Sequence, residues 1–145
     1  MRIEASRIFP VEREVGFDYV TKPENWSEFW PDLVDIPDLD RTTWQKSGDT
    51  ARLRMRLAGR ITELHMTLDE VRRPAIVRYH SSQQGVPDSA HERHFEPAVG
   101  GFDYRLVVSF EPRPGFTGLF DRTVVRYAAS RALRKTLDNL SRRLR

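Results

Sequence analysis

Apolar side chains recur at every second position through much of residues 50–110, and at every third or fourth position from Leu119 to Leu144. Alternation marks a strand with one buried and one wet face, and the longer step marks a helix with one apolar stripe. A chain patterned this way must build a one-sided sheet and then cover its apolar face, with a single late helix as the cover. That is an α+β plan.

The alternation is specific enough to predict a register. In Thr50 to Leu57, the residues Ala51, Leu53, Met55 and Leu57 alternate with Arg52, Arg54 and Arg56, and beyond Ala58-Gly59 the apolar set resumes at Leu64, Met66 and Leu68. If Ala58-Gly59 is a two-residue hairpin loop, Leu57 pairs with Arg60, Met55 with Thr62, Leu53 with Leu64 and Ala51 with Met66, so the two apolar faces coincide. The same register sets Arg54 across from Glu63, a favourable pair on the wet face.

Elsewhere the elements follow from similar patterns. Met1 to Phe9 reads as a first strand closed by Pro10, and Val11 to Val20 as a short helix ended by Lys22-Pro23. Asn25 to Trp30 forms another turn or two, with Trp26, Phe29 and Trp30 on one side, where core packing accounts for them. Ala75 to Ser81 and Ser89 to Glu96 are strands, and Phe102 to Phe110 is the cleanest alternation, entered through Gly100-Gly101. After Pro112-Arg113-Pro114-Gly115 comes one long amphipathic helix carrying Leu119, Phe120, Val124, Tyr127, Leu133, Leu137, Leu140 and Leu144, up to about 45 Å for roughly 30 residues. About six or seven antiparallel strands will curl as they twist, and a cavity can remain between the curl and the helix.

These segments resemble the START-like superfamily, which includes polyketide cyclases and Bet v 1-type proteins. The resemblance rests on Ala5-Ser6-Arg7-Ile8-Phe9-Pro10, on Val15-Gly16-Phe17-Asp18-Tyr19-Val20-Thr21-Lys22-Pro23-Glu24-Asn25-Trp26 and on Phe29-Trp30-Pro31. It continues through Leu57-Ala58-Gly59, the Gly100-Gly101 turn and the closing Leu133, Leu137 and Leu140, and so spans residues 1–145 as one domain. It implies a helix-grip fold: a curved antiparallel sheet wrapped around the long C-terminal helix, with short helices after the first strand. It also implies a cavity for a hydrophobic small molecule such as a lipid or a polyketide-like or other aromatic compound, the protein acting as carrier or as cyclase/aromatase. No catalytic motif of such a subfamily matches residue by residue, so the resemblance carries a pocket rather than a reaction.

Composition narrows the chemistry further. The chain contains no cysteine, which excludes disulfides, thiol catalysis and thiolate metal sites. His91-Glu92-Arg93-His94 is one residue short of the His-Glu-x-x-His zinc motif, and on a strand its two histidines face opposite ways, so no metal site is expected. Phosphate-loop and dinucleotide fingerprints are absent as well, and no cofactor is expected. No stretch reaches the roughly 18 apolar residues of a spanning helix, and Met1-Arg2-Ile3-Glu4 lacks the apolar block of a secretory signal, so a cytoplasmic location is expected. Of the 24 basic residues, 21 are arginine, and Phe116–Arg145 carries eight of the 24 against Asp121 and Asp138 alone. That asymmetry fits a solvated helix face, or a surface for an anionic partner or membrane. Exposed aromatics suited to base stacking are not interleaved with the arginines, so nucleic acid is not expected.

The candidate binding residues are those in phase with the apolar face. His91 and Arg93 share the phase of Phe95, Tyr79 that of Val77, and Tyr104 lies between Phe102 and Leu106. A buried arginine or histidine must find a partner, either an anionic or carbonyl-bearing ligand or an internal carboxylate, unless the strand presents the opposite phase. Met55 and Met66 could form flexible pocket wall or plain core. Tyr127 on the helix completes the set.

Overall fold

A computed structural model describes all 145 residues. Seven antiparallel strands form one sheet in the order β1-β7-β6-β5-β4-β3-β2. They are β1 (Arg2–Phe9), β2 (Leu33–Asp35), β3 (Thr50–Leu57), β4 (Arg60–Arg72), β5 (Ile76–Gln83), β6 (Ser89–Ala98) and β7 (Gly101–Phe110). Between β1 and β2 lie helix α1 (Arg13–Thr21) and a 3-10 turn (Pro23–Glu28). After β7 and the non-helical residues 111–115, the chain is helical without a break from Phe116 to Ser141, through α2 (Phe116–Phe120), a π turn (Asp121–Val125) and α3 (Arg126–Ser141).

The expected hairpin forms in the expected register: Leu57 faces Arg60, Met55 Thr62, Leu53 Leu64 and Ala51 Met66. Its loop residues Ala58 and Gly59 have φ +50 and +79, the left-handed pair that matches the twist of the flanking strands. Arg54 does lie opposite Glu63, but its guanidinium turns instead to Asp35, donating from Nε over 2.6 Å. Glu63 is taken by Arg52 at 3.4 Å. The difference arises from β2, a three-residue edge strand with too few residues to alternate, which lays Asp35 beside β3.

Curvature enters through β4, where the pairing with β5 slips between Leu68 and Glu70. A bulge of this kind bends the strand and increases its twist. The concave face is closed at one end by aromatic rings. Phe17 of α1 meets Phe95 edge-on at 4.9 Å, Phe95 lies 4.7 Å from Tyr104, and Phe9 lies 5.7 Å from Phe102.

The C-terminal helix is fastened over that same face. Leu133, Leu137, Leu140 and Leu144 are all buried, as their spacing requires. Arg7 on β1 donates to the Leu137 carbonyl at 3.0 Å and to Asp138 at 2.6 Å, and Asn139 donates to the Phe29 carbonyl at 2.9 Å. The earlier turns depart from the sequence expectation. Phe116, Leu119, Phe120, Val124 and Tyr127 are exposed, and the seam instead runs back through the partly buried Ala129 and Val125. Each residue advances about 100° around a helix, so Tyr127, two positions from both Val125 and Ala129, points to the far side.

Candidate functional site

The replacement of leucine by alanine along the helix seam leaves space. From Leu133 onward large side chains fill the gap between helix and sheet, whereas Ala128, Ala129 and Ala132 leave a cavity of about 1020 Å³ above the middle of the sheet. Its lining is mostly apolar and includes Trp26, Phe29, Trp44, Leu64, Phe95 and Val108. It reaches the surface at the β3–β4 turn, the Gln84–Pro87 loop and the first helical turns, where Ile61, Phe120 and Val124 are exposed. Arg113 ties this end together. It donates to the fully buried Asp121 from its backbone N (2.8 Å), Nε (2.9 Å) and Nη2 (2.7 Å), and to the Gly85 carbonyl at 3.2 Å. Those donors hold the Asp121 carboxyl below its usual range.

Six of the seven candidate residues line the cavity: Met55, Met66, Tyr79, His91, Arg93 and Tyr104. Their strands explain the convergence. Tyr79 on β5 pairs with His91 on β6, and Arg93 on β6 pairs with Leu106 on β7, one step along from Tyr104 on the same face. Tyr127 is a correction: it lies outside the lining and is 66% exposed, because the helix presents its alanine side to the cavity.

Among these residues is a compact polar group. The His91 ring stacks on Tyr79 at 4.4 Å and 4°, and its Nε2 hydrogen-bonds the Ser81 hydroxyl at 2.8 Å. Arg93 donates from Nη2 to the Tyr79 hydroxyl at 2.8 Å. Two buried nitrogens, Arg93 Nη1 and His91 Nδ1, have no partner in the protein. The only carboxylate in the lining, Asp32, is exposed. Burial, reinforced by the Arg93 charge, lowers the His91 pKa from 6.5 to about 3, so the ring is neutral at pH 7. Burial also pushes up the Tyr79 and Tyr104 hydroxyls, against the opposing pull of Arg93. The cavity therefore presents one cation on its inner wall, Arg93, with Arg56 and Arg60 exposed at the β3–β4 end, and several neutral hydrogen-bonding groups rather than a ready base.

Trp44 and Ser81 belong to the site as well, though pattern reading does not single them out as site residues. Trp44 contacts Tyr79 edge-on at 5.6 Å and joins it to Trp26, also 5.6 Å away. Its signal is a lone large aromatic in the polar stretch Arg41–Thr50, and such a residue is seldom left in water. Ser81 continues the Val77-Tyr79 phase, so counting two more residues finds it.

A family model described as polyketide cyclase / dehydrase and lipid transport matches residues 1–145. No curated protein matches the sequence. Solved structures similar to it include a protein of Thermus thermophilus, with TM-score 0.80 and 14% identity over 99% of this chain and 97% of that one. A START superfamily protein from Mycobacterium smegmatis has TM-score 0.77 and 13% identity over 99% and 96% of the respective chains. The protein Ara h 8.0201 has TM-score 0.64 and 16% identity over 97% and 98%. At these identities the likeness concerns the fold.

Proposed function

The chain belongs to the polyketide cyclase/dehydrase and lipid transport family, within the START-like superfamily, and on that premise we propose that residues 1–145 form one domain that holds a hydrophobic small molecule between sheet and helix. The observation that supports this reading is the cavity of about 1020 Å³ beneath Ala128, Ala129 and Ala132. It lies at the top of the roughly 300–1,000 Å³ range of small-molecule sites, and its mostly apolar wall with a few convergent polar groups is the usual composition of such sites. Carrier and cyclase/aromatase roles share this architecture. The neutral His91 and the raised tyrosines favour holding and polarising an oxygen over abstracting a proton. A cytoplasmic carrier accords with the absence of any helix long and apolar enough to cross a membrane.

The neutral dye Nile red tests this reading. It is expected to bind with micromolar affinity and a blue-shifted emission, and Ala132→Trp, which places an indole in the space the alanine leaves, is expected to weaken binding at least tenfold while thermal unfolding stays cooperative. Equal binding by both proteins would locate the dye elsewhere and count against the cavity.

A second reading is favoured by one observation, which also corrects the expectation that no exposed aromatics interleave with the helix arginines: the exposed Phe116, Leu119, Phe120, Val124 and Tyr127 are interspersed with exposed Arg122 and Arg126. In this reading the basic helix docks on an anionic partner or membrane surface. The protein should then co-sediment with phosphatidylglycerol-containing vesicles but not with pure phosphatidylcholine, and lose that binding as salt rises. Leu119→Ser together with Phe116→Ser should reduce it several-fold. Indifference to lipid charge would remove this reading.

A further inference from the structure

We propose that the ligand of this cavity is an anionic amphiphile whose carboxylate rests against Arg93 and His91, with its apolar body extending toward the opening near Phe120 and Ile61. The inference rests on the small-molecule reading above and goes further by naming the chemical class.

It starts from an imbalance on the cavity wall. A guanidinium carries five N–H donors and a charge it cannot shed, and burying it without a counter-charge is costly. Arg93 has one side-chain acceptor, the Tyr79 hydroxyl, which is neutral, and its Nη1 has no partner. Other arginines have a carboxylate or open water: Arg54 has Asp35, Arg73 in the β4–β5 turn has Asp18 and Arg78 has Glu70 and Glu92, while Arg56 and Arg60 at the β3–β4 end are exposed. Arg93 alone combines a buried, unpartnered guanidinium nitrogen with a place on the cavity wall, where a ligand can reach it. His91, in register with Tyr79 and stacked on it, leaves Nδ1 unpartnered beside the same guanidinium.

The pair has the geometry of a receptor for a planar two-oxygen anion. One oxygen can take the free guanidinium donors and the other the imidazole N–H or the Tyr79 hydroxyl proton, since that hydroxyl already accepts from Arg93 and is free to donate. A neutral ligand with one carbonyl would satisfy fewer of these donors and leave the charge unmatched. Beyond the head group the wall is apolar, with Met55, Met66, Leu64 and Val108 on the sheet side and the alanines above. The wall thus sets the Arg93 charge against a greasy shaft, with Arg56 and Arg60 exposed to water at the opening, and a molecule with one acidic end fits it.

A matched pair of probes tests this, 1-pyrenedodecanoic acid and its methyl ester, titrated at pH 7.5 and submicromolar concentration into the native chain and into Arg93→Met. The native chain is expected to bind the acid at least tenfold more tightly than the ester. Arg93→Met, which keeps an unbranched apolar stem and removes the charge, is expected to abolish the preference while retaining ester affinity. Tyr79→Phe, a milder change, is expected to shrink the preference several-fold, and it supplies the comparison if Arg93→Met does not fold. Equal affinity of the native chain for acid and ester overturns the anion proposal and leaves the small-molecule reading intact. Binding of neither probe overturns both.

Discussion

Gly101→Ala is expected to destabilise the protein by more than about 3 kcal/mol, a loss reserved for substitutions that force the backbone or core apart. A Cβ at this position would lie 1.8 Å from the Phe9 carbonyl oxygen and 2.8 Å from its carbon, and these are main-chain atoms that cannot rotate away. Phe9 and Phe102 are paired across the β1–β7 ladder, so accommodating the methyl means prising open that ladder where it meets the buried aromatic cluster. The adjacent glycine gives the contrast. Gly100 has φ +80 with nothing within 4 Å of an added Cβ, so Gly100→Ala should cost only the roughly 1–2 kcal/mol of a left-handed non-glycine residue. Urea midpoints of the two variants measure the difference. Equal losses would mean that close strand approach is not what requires glycine at position 101.

Stability is also expected to fall steadily as pH drops from 6.5, well before carboxylates titrate. His91 is held neutral by burial and by Arg93, with its pKa lowered from 6.5 to about 3. Because the folded-state value is the lower one, the unfolded chain binds the extra proton between those limits, so stability is fully present above pH 6.5 and is lost as pH falls toward 3. The slope approaches about 1.4 kcal/mol per pH unit and its integral over the window is on the order of 4–5 kcal/mol. Tyr79, Ser81 and Arg93 surround the ring and none of them supplies an acidic partner for a protonated imidazole. Urea unfolding at pH 7, 6 and 5 reads the slope, and His91→Gln should flatten it. An unchanged slope in that variant would assign the acid sensitivity elsewhere.

Both effects act at positions whose legibility in the sequence differs. The Gly100-Gly101 turn is visible as a turn, yet only the coordinates distinguish a glycine needed for its φ from one needed for its lack of a side chain. The phase of His91, Arg93 and Tyr79 is visible because a strand has period two and Phe95 and Val77 fix which parity is buried. Whether Arg93 finds an internal carboxylate is not visible, since that depends on which loops reach the cavity, and residues distant in sequence decide it. The helix shows the same division. Its leucine seam from Leu133 is plain, but the stripe extended back through Phe120 and Tyr127 follows apolar identity rather than angular position, and the small Ala129 and Val125 hold the buried side instead. Hydrophobic size marks where a core is filled. A cavity is marked by its absence, which a search for large apolar residues passes over.

The sheet order gives the first strand a single neighbour, the last one: Arg2 is registered with Ser109 and Phe9 with Phe102. On the ribosome, at roughly 5–20 residues per second, β1 therefore waits on the order of ten seconds for its mate, while β3 to β6 can zip to one another as they emerge. Biogenesis should proceed as a hairpin meander that stays open along one border until Phe110 is out, with the chain's two extremities joining late, when Arg7 grips the Leu137 carbonyl.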